Sequence, residues 1–299
     1  MNVLLTGAWQ GAETHIDEIQ ALGHNVLYMK QETDELPCPY SWVEGVVCNG
    51  LFLTHPIERF ENLRYIQLTS AGYDRVPMEY VKGKNIEIHN AKGVYSIPMA
   101  EFAVGGILQI YKQSRCFFEN QKAHKWEKHR GLPELDGKTV CIVGCGSVGT
   151  ECAKRLKAFG CKIIGIDIKP YTSEWFDEMH SLDSLNEILK NSDIVILTLP
   201  LSEETFHLMN AARLNMMKTG ALLVNIARGK IVDTGALFNE LRTIRLYAVL
   251  DVFEEEPLDH KSDLWDLENV IITPHNSFVG IGNAERLAHA IITNLEERT

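Results

Sequence analysis

The sequence predicts an α/β protein of two lobes, each a parallel β-sheet flanked by helices. Through about the first hundred residues, short β-rich runs alternate with helical stretches, and a second alternating series begins at Lys138. This alternation is typical of parallel strands joined by crossover helices. A glycine cluster directly follows the first strand of the second series, at the place where sheets of this kind bind phosphates.

The composition restricts the class of protein. The chain has 299 residues, of which 45% are hydrophobic and 23% charged, and this suits a globular protein of about two domains. The formal net charge is −11 and the pI is about 5.5, which predicts no binding to nucleic acid or to an anionic membrane. An anionic substrate therefore needs a local positive site that works against the charge of the whole chain.

The cysteines and the absence of long apolar runs predict a cytoplasmic protein with reduced thiols. Seven cysteines occur without a C-x-x-C pair, and no apolar run approaches the ~18 residues of a membrane span. The first residues, 1–5, are predicted as a strand and not as a secretion signal. Cys141 and Cys145 flank a glycine turn without a set of four zinc ligands, so no metal site is predicted.

The elements of the first lobe follow from its β-rich runs. Strands are predicted over residues 3–6, 25–29, 45–48, 65–69 and 86–90, and helices over 12–22 and 56–61. This order is flavodoxin-like. An apolar helix over 98–111 opens with Pro98, which favours the first position of a helix, and is expected along the junction of the two domains.

The second lobe is predicted as a doubly wound sheet of the Rossmann type. Its six predicted strands cover residues 139–143, 162–166, 194–199, 221–225, 246–250 and 270–272. Helices are expected between most of them, over 148–159, 185–190, 211–216 and 234–241. A last helix, 283–295, is expected to return to the first lobe. The predicted domains are therefore 1–97 plus 278–299, for the substrate, and 98–277, for a dinucleotide.

The glycine cluster is a G-x-G-x-x-G fingerprint between a buried strand and a helix. Gly144 permits the tight turn, Gly146 lets the backbone approach a pyrophosphate, and Gly149 lets the helix pack against the sheet. The helix N-terminus then offers free N–H groups to the phosphates. Asp167, at the end of the next strand, is placed to bind the adenosine ribose hydroxyls, and a carboxylate there favours NAD over NADP.

Three further residues near strand ends are the candidate catalytic residues. Arg228 follows the apolar run 221–224, and its planar fork suits a carboxylate and a carbonyl oxygen together. His275, after Pro274, can hold or give a proton near neutral pH. Glu256 can fix the tautomer of that imidazole if the two meet, whereas Glu254 and Glu255 are expected to be solvated. Each of the three is individually compatible with a purely structural role.

At these residues the chain resembles the D-isomer-specific 2-hydroxyacid dehydrogenase family. The resemblance covers nearly the whole chain, through the segments 70–74, 100–101, 135–144, 199–205, 218–229, 250–258 and 273–275. It implies that His275 is the general acid/base, Glu256 its partner and Arg228 the residue that binds substrate. It also implies an active site in the cleft between the lobes and a homodimer.

The same resemblance implies the remaining binding residues. The backbone at Ala71 and Gly72 would hold the substrate carboxylate. The cofactor residues would be Ser147 and Val148 at the pyrophosphate, Asp167 at the ribose, and Leu199, Ala227 and Asp251 beside the nicotinamide. The implied reaction is the NAD-dependent, reversible reduction of a 2-keto acid to a D-2-hydroxy acid.

Two alternatives and the choice of substrate stay open on the sequence. A non-catalytic, NADH-sensing binding protein of the same fold would retain the same three residues. A formate dehydrogenase-like enzyme is less compatible, because formate oxidation protonates no alkoxide. After His275 the chain departs from many relatives with Asn276–Ser277–Phe278, which leaves the pocket wall and the 2-keto acid undefined.

Overall fold

The computed structural model describes residues 1–298, which divide into two compact units. Unit 1 comprises residues 1–95 and the segment that begins at Gly280, and unit 2 comprises Ser96–Val279. Each unit is built on its own parallel sheet, with α-helices or short 3₁₀ turns between most successive strands. The predicted α/β fold class of two parallel sheets flanked by helices is confirmed.

Unit 1 has a five-stranded parallel sheet in the order β2-β1-β3-β4-β5. Its strands are β1 (Asn2–Thr6), β2 (Asn25–Met29), β3 (Gly45–Cys48), β4 (Tyr65–Leu68) and β5 (Glu87–His89). Its helices are α1 (Ile16–Ala21), α2 (Met78–Gly83) and α9 (Asn283–Glu296). The central strands β1 and β3 carry consecutive buried, mostly apolar residues because helices or turns cover both faces of the sheet.

Helix α9 completes one face of the unit 1 sheet. Its buried side chains, Leu287, Ile291 and Leu295 among them, pack with Val3 and Leu5 of β1. Their spacing of three to four residues puts them on one side of the helix. Polar bonds reinforce the contact: Arg286 donates to the carbonyl of Val94 (2.7 Å) and Asn294 to Gln67 (2.8 Å).

Unit 2 has a seven-stranded parallel sheet in the order β12-β11-β10-β9-β6-β7-β8. The strands are β6 (Thr139–Val143), β7 (Lys162–Ile166), β8 (Glu178–His180), β9 (Ile194–Leu197), β10 (Leu222–Asn225), β11 (Tyr247–Leu250) and β12 (Val270–Ile272). The helices are α3 (Ser96–Tyr111), α4 (Ser114–Lys122), α5 (Ser147–Ala158), α6 (Leu185–Asn191), α7 (Ala211–Met216) and α8 (Thr234–Leu241). The strand order reverses between β6 and β9, so the carboxyl ends of these strands are the expected ligand site.

Several predicted elements differ from the observed ones. The sequence patterns missed β8, α2 and α4, which are short or carry few apolar residues. The helix predicted over 56–61 is only a 3₁₀ turn, Ile57–Arg59, and the one over 12–22 is a 3₁₀ turn, Ala12–His15, followed by α1. The sheet of unit 2 consequently has one strand more than predicted.

Three further observations concern membranes, metals and thiols. Within residues 1–298 no helix is both long and apolar enough to cross a membrane. Over the same residues, no group of three or more His, Cys, Asp or Glu side chains is arranged to hold a metal ion. All seven cysteines are free thiols, and burial raises the pKa of Cys152 to about 12. Buried thiols with a raised pKa, such as that of Cys152, are unreactive.

Candidate active site

The glycine loop joins β6 to α5 at the carboxyl edge of the unit 2 sheet. Gly144 has a φ of +97°, and a Cβ there would lie 2.7 Å from the backbone nitrogen of Leu199. A Cβ on Gly149 would lie 2.2 Å from the Gly144 carbonyl oxygen, so glycine is needed for α5 to sit this close. No atom lies within 4 Å of a Cβ on Gly146, which leaves open space over the loop.

The first turn of α5 offers unused donors beside this space. Within the described chain, the N–H groups of Ser147 and Val148 donate to no protein acceptor, whereas that of Thr150 donates to the Gly146 carbonyl (2.9 Å). Free N–H groups and the positive end of the helix dipole favour an anion. The loop therefore fits the pyrophosphate of a dinucleotide.

Asp167 follows β7 and braces the glycine loop. Its Oδ2 accepts the N–H of Cys145 (2.8 Å), a contact that the sequence did not predict. Tyr171 braces the same residue from the other side, because its hydroxyl donates to the Cys145 carbonyl (2.6 Å). Burial and the Asp167 charge raise the pKa of the Cys145 thiol to about 12, so this thiol stays protonated. Asp167 is half-buried, with its carboxylate at the edge where a ribose would lie.

Arg228 stands on a turn that Asn225 holds at the end of β10. The buried Asn225 side chain accepts the N–H of Ala227 (3.1 Å) and donates to the carbonyl of Arg228 (3.0 Å). The guanidinium of Arg228 donates to the Ala227 carbonyl (2.8 Å) and the side chain is half-buried. An amide side chain that bonds both ends of a turn fixes the direction in which the next residue leaves it.

Gly229 brings this turn against the segment that follows β11. A Cβ on Gly229 would lie 1.8 Å from the carbonyl carbon of Phe253 and 2.4 Å from the nitrogen of Glu254. Only glycine permits so close a backbone approach. The Arg228 segment and the Glu254–Glu256 segment are therefore packed backbone to backbone.

His275 and Glu256 meet, as predicted. The Nδ1 atom of His275 lies 2.8 Å from Oε2 of Glu256, and both side chains are more than one-third exposed. The other carboxylate oxygen of Glu256 accepts the N–H of Phe253 (3.0 Å). With Nδ1–H donated to Glu256, the Nε2 atom of His275 is left to exchange a proton with a ligand.

Asp251 shapes the turn that carries His275. It is fully buried, and its carboxylate accepts the Thr273 hydroxyl (2.7 Å) and the N–H groups of Asn276 (2.8 Å) and Ser277 (2.9 Å). Its carbonyl also accepts the N–H of His275 (2.7 Å), a residue with a φ of +51°. The structure thus gives Asp251 a supporting role, and its contact with a nicotinamide stays a prediction.

The other predicted cofactor residues are mostly buried in unit 2. Leu199 follows β9 and is 9% exposed, and Ala227 is 5% exposed. Both belong to the core on one face of the sheet and lie at the carboxyl ends of their strands. They can present only a small surface to a ligand, so a nicotinamide contact for each stays a prediction.

Ala71 and Gly72 lie in a loop after β4 of unit 1. Their carbonyls are held by Asn90, which donates to Ala71 (2.6 Å), and by the Ser70 hydroxyl, which donates to Gly72 (3.1 Å). In residues 1–298 the N–H groups of Ala71 and Gly72 have no hydrogen-bond partner. Two unused neighbouring N–H groups suit an anion such as a carboxylate.

The expectation that Glu254 is solvated is wrong. Its carboxylate bonds to Nε2 of His207 (2.9 Å) and to the N–H of Thr234 (2.8 Å), and the side chain is 28% exposed. Burial alone would raise its pKa, but the Thr234 N–H and His207 outweigh it and hold the pKa below its ordinary value. Only Glu255 is exposed in the expected way.

Comparison with known proteins decides the family. The profile described as "D-isomer specific 2-hydroxyacid dehydrogenase, NAD binding domain" matches residues 104–277, more than half of the chain. The chain belongs to the D-isomer specific 2-hydroxyacid dehydrogenase family. It is therefore an NAD-binding oxidoreductase that acts on the CH–OH group of 2-hydroxy acids.

Similar proteins agree with this membership. A glyoxylate reductase of Thermofilum pendens is 36% identical over 241 residues, which are 78% of this chain and 71% of the relative. A family protein of Aeromonas salmonicida has a crystal structure with a TM-score of 0.83 at 29% identity, covering 98% of this chain and 94% of that chain. The D-lactate dehydrogenase of Aquifex aeolicus, solved with NAD and lactic acid, has a TM-score of 0.79 at 26% identity, covering 99% and 95%.

Proposed function

We propose that the protein reduces a 2-keto acid to a D-2-hydroxy acid, reversibly and with NADH. The observation that carries this proposal is the 2.8 Å contact between His275 and Glu256, in the unit that also holds the glycine loop. An imidazole held by a carboxylate is suited to proton transfer. A formate dehydrogenase-like reaction would leave this pair without a use, because no alkoxide is protonated.

His275 is proposed as the general acid for the keto acid. Glu256 holds Nδ1, so Nε2 faces outward and delivers its proton to the oxygen on C2 as the carbonyl becomes an alkoxide. When bound, NADH supplies the hydride that C2 receives. In the reverse direction Nε2 accepts the hydroxyl proton, as microscopic reversibility requires.

Arg228 and the Ala71–Gly72 loop are proposed as the binders of the substrate carboxylate. The Asn225 turn holds the backbone of Arg228, and the guanidinium is a permanent cation with paired donors. The unused N–H groups of Ala71 and Gly72 would take the remaining carboxylate oxygen. The anionic chain would thus supply a local positive charge where the substrate binds.

The two domains are proposed to divide this work. Residues 1–97 plus 278–299 would bind the substrate carboxylate, and residues 98–277 would bind NAD and carry the acid/base pair. Asp167 would bind the ribose, and Leu199, Ala227 and Asp251 would lie beside the nicotinamide. A cytoplasmic location stays a prediction of the composition.

We also propose that the protein is a homodimer, as the family resemblance implies. Unit 2 exposes the ring of Trp126 almost completely (96%) and that of Phe118 by 56%. Large exposed aromatic side chains are enriched at interfaces between chains. Both side chains lie in the segment that runs from α4 to the residues after it.

The experiment that tests the function is NADH oxidation with 2-keto acids of increasing side-chain size. We expect turnover with at least one of them, and a D-product by chiral chromatography. We expect His275→Ala to lose about 10²–10⁴ in kcat, the usual contribution of general acid catalysis, while it still binds NADH. His260→Ala, an exposed histidine of the same unit, is the matched control and should turn over normally.

The outcomes separate the two functional alternatives. Normal turnover by His275→Ala would contradict its role as the acid. Tight NADH binding without turnover of any keto acid by the wild type would instead favour an NADH-sensing protein. The keto acid with the highest kcat/KM would define the substrate class.

A further inference from the structure

A second carboxylate–imidazole contact lies beside the acid/base pair and joins three segments of unit 2. Glu254 is two residues from Glu256, and its carboxylate oxygens bond to the His207 imidazole (2.9 Å) and to the N–H of Thr234 (2.8 Å). Thr234 is the first residue of α8, where unused N–H groups favour a carboxylate. Glu254 thus ties its own segment to the loop after β9 and to the start of α8.

His207 is held in an uncommon conformation at this contact. Its φ is +46°, its N–H donates to the carbonyl of Lys230 (2.8 Å), and its ring stacks on Phe206 at 4.1 Å. A positive φ at a residue other than glycine is unfavourable and persists only where neighbouring contacts hold it. The strain at His207 is offset by its bonds to Lys230 and Glu254.

The backbone of Glu254 is also part of the packed contact with Gly229. A Cβ on Gly229 would lie 2.4 Å from the Glu254 nitrogen, and Gly229 directly follows Arg228. On its other side, Phe253 donates its N–H to Glu256 (3.0 Å). A shift of Glu254 would therefore displace both Gly229, which is bonded to Arg228, and the Phe253 N–H group that donates to Glu256.

We propose that Glu254 and His207 are positioning residues that hold Glu256 and Arg228 in their reactive arrangement. Neither side chain contacts a reacting atom. Their contact instead fixes the segment that contains Glu254, which packs against Gly229 beside Arg228 and leads on to Glu256. This inference rests on the proposed function, in which Glu256 orients His275 and Arg228 binds the substrate. A misplacement of about 1 Å in such a site costs roughly 10²-fold in rate.

The test compares Glu254→Ala with Glu255→Ala, its exposed neighbour, which has no side-chain partner in the described chain. For Glu254→Ala we expect kcat to fall about 10- to 100-fold while the KM for NADH changes less than about twofold. We also expect the Phe253 amide, the donor to Glu256, to exchange its hydrogen at least about tenfold faster. Glu255→Ala should match the wild type in all three measurements.

Further variants keep the test decisive. Glu254→Gln retains an acceptor for Thr234 but loses its charge towards His207, so it should fall between the wild type and Glu254→Ala. His207→Ala combined with Glu254→Ala should lose no more than the larger single effect, because both remove one contact. If Glu254→Ala does not fold, Glu254→Gln and His207→Ala carry the same comparison.

Failure of the positioning role and failure of the proposed function give different results. Wild-type kcat and wild-type exchange at Phe253 in the Glu254 and His207 variants would overturn the positioning role. A wild type that turns over no 2-keto acid would refute the proposed function, and the exchange rates at Phe253 would still decide whether Glu254 holds this segment.

Discussion

At the level of single residues, Gly146 is a position where an added methyl group would meet no protein atom and would face the proposed cofactor site. No protein atom lies within 4 Å of a Cβ built there, and the space lies over the unused donors of α5. We expect Gly146→Ala to keep the melting temperature and to weaken NADH binding at least about tenfold, or roughly 1.4 kcal/mol. Calorimetric titration with NADH measures the loss.

Gly105→Ala is the matched control for this variant. Gly105 lies within α3 and also has nothing within 4 Å of an added Cβ. Alanine there should leave NADH affinity unchanged and raise stability by about 0.5–1 kcal/mol, because glycine is unfavourable inside a helix. Equal NADH affinity in the two variants would show that the pyrophosphate does not approach Gly146.

The residues of the site were predictable only where the chemistry is local. The fingerprint from Gly144 to Gly149 is contiguous, whereas the pairing of Glu256 with His275, 19 residues apart, was implied only by the family resemblance. The residues that support the site, Glu254 and Asp251, were not predictable because their hydrogen-bond partners are remote in sequence. Glu254 bonds to His207, and Asp251 bonds to Thr273. A run of three glutamates gives no sign of which carboxylates are held by hydrogen bonds.

At the level of elements, Asp193 joins the amino ends of neighbouring strands. It accepts the N–H of Thr139, at the start of β6, and the ammonium of Lys218 (3.0 Å), just before β10. Burial raises its pKa, but these two contacts outweigh burial and the net pKa lies below its ordinary value. A lowered pKa means that the stability it contributes is present above about pH 3.9 and is lost as pH falls through the folded-state pKa.

We therefore expect Asp193→Asn to reduce stability at pH 7 by about 1 kcal/mol, which corresponds to about 2–4 °C in melting temperature for a domain of this size. The difference from the wild type should shrink below about pH 4 as the wild-type carboxyl becomes protonated. Thermal melts between pH 3 and pH 7 measure it. Asp263→Asn, at an exposed aspartate of the same unit, is the control, and a pH-independent difference for Asp193→Asn would contradict the ionic origin.

The elements themselves were predictable where a core strand or an apolar helix was concerned. Strands such as β6, β9 and β10 are buried on both faces and consist mainly of consecutive apolar residues. By contrast, β8 is a three-residue edge strand with two polar residues, and α4 has no buried side chain. Their conformation depends on pairing with β7 and on packing beside α3, which a local pattern does not contain.

At the level of the whole molecule, the proposed homodimer predicts a solution mass of about twice the 33.8 kDa chain. We expect the double variant Phe118→Ser and Trp126→Ser to lower that mass towards the monomer, because it removes the largest exposed apolar rings of this segment. Light scattering after size exclusion measures the mass. Ile281→Ser, at a fully exposed apolar residue of unit 1, should not change it.

The placement of α9 has a consequence for the synthesis of the protein. The strands of unit 1 precede unit 2 in sequence, yet Leu287, Ile291 and Leu295 of its core lie in α9, after the whole of unit 2. Domains usually fold in order from the amino terminus as they leave the ribosome. Here the second unit can complete its core while the first still lacks a helix over one face of its sheet, so unit 1 completes its core only after α9 has left the ribosome.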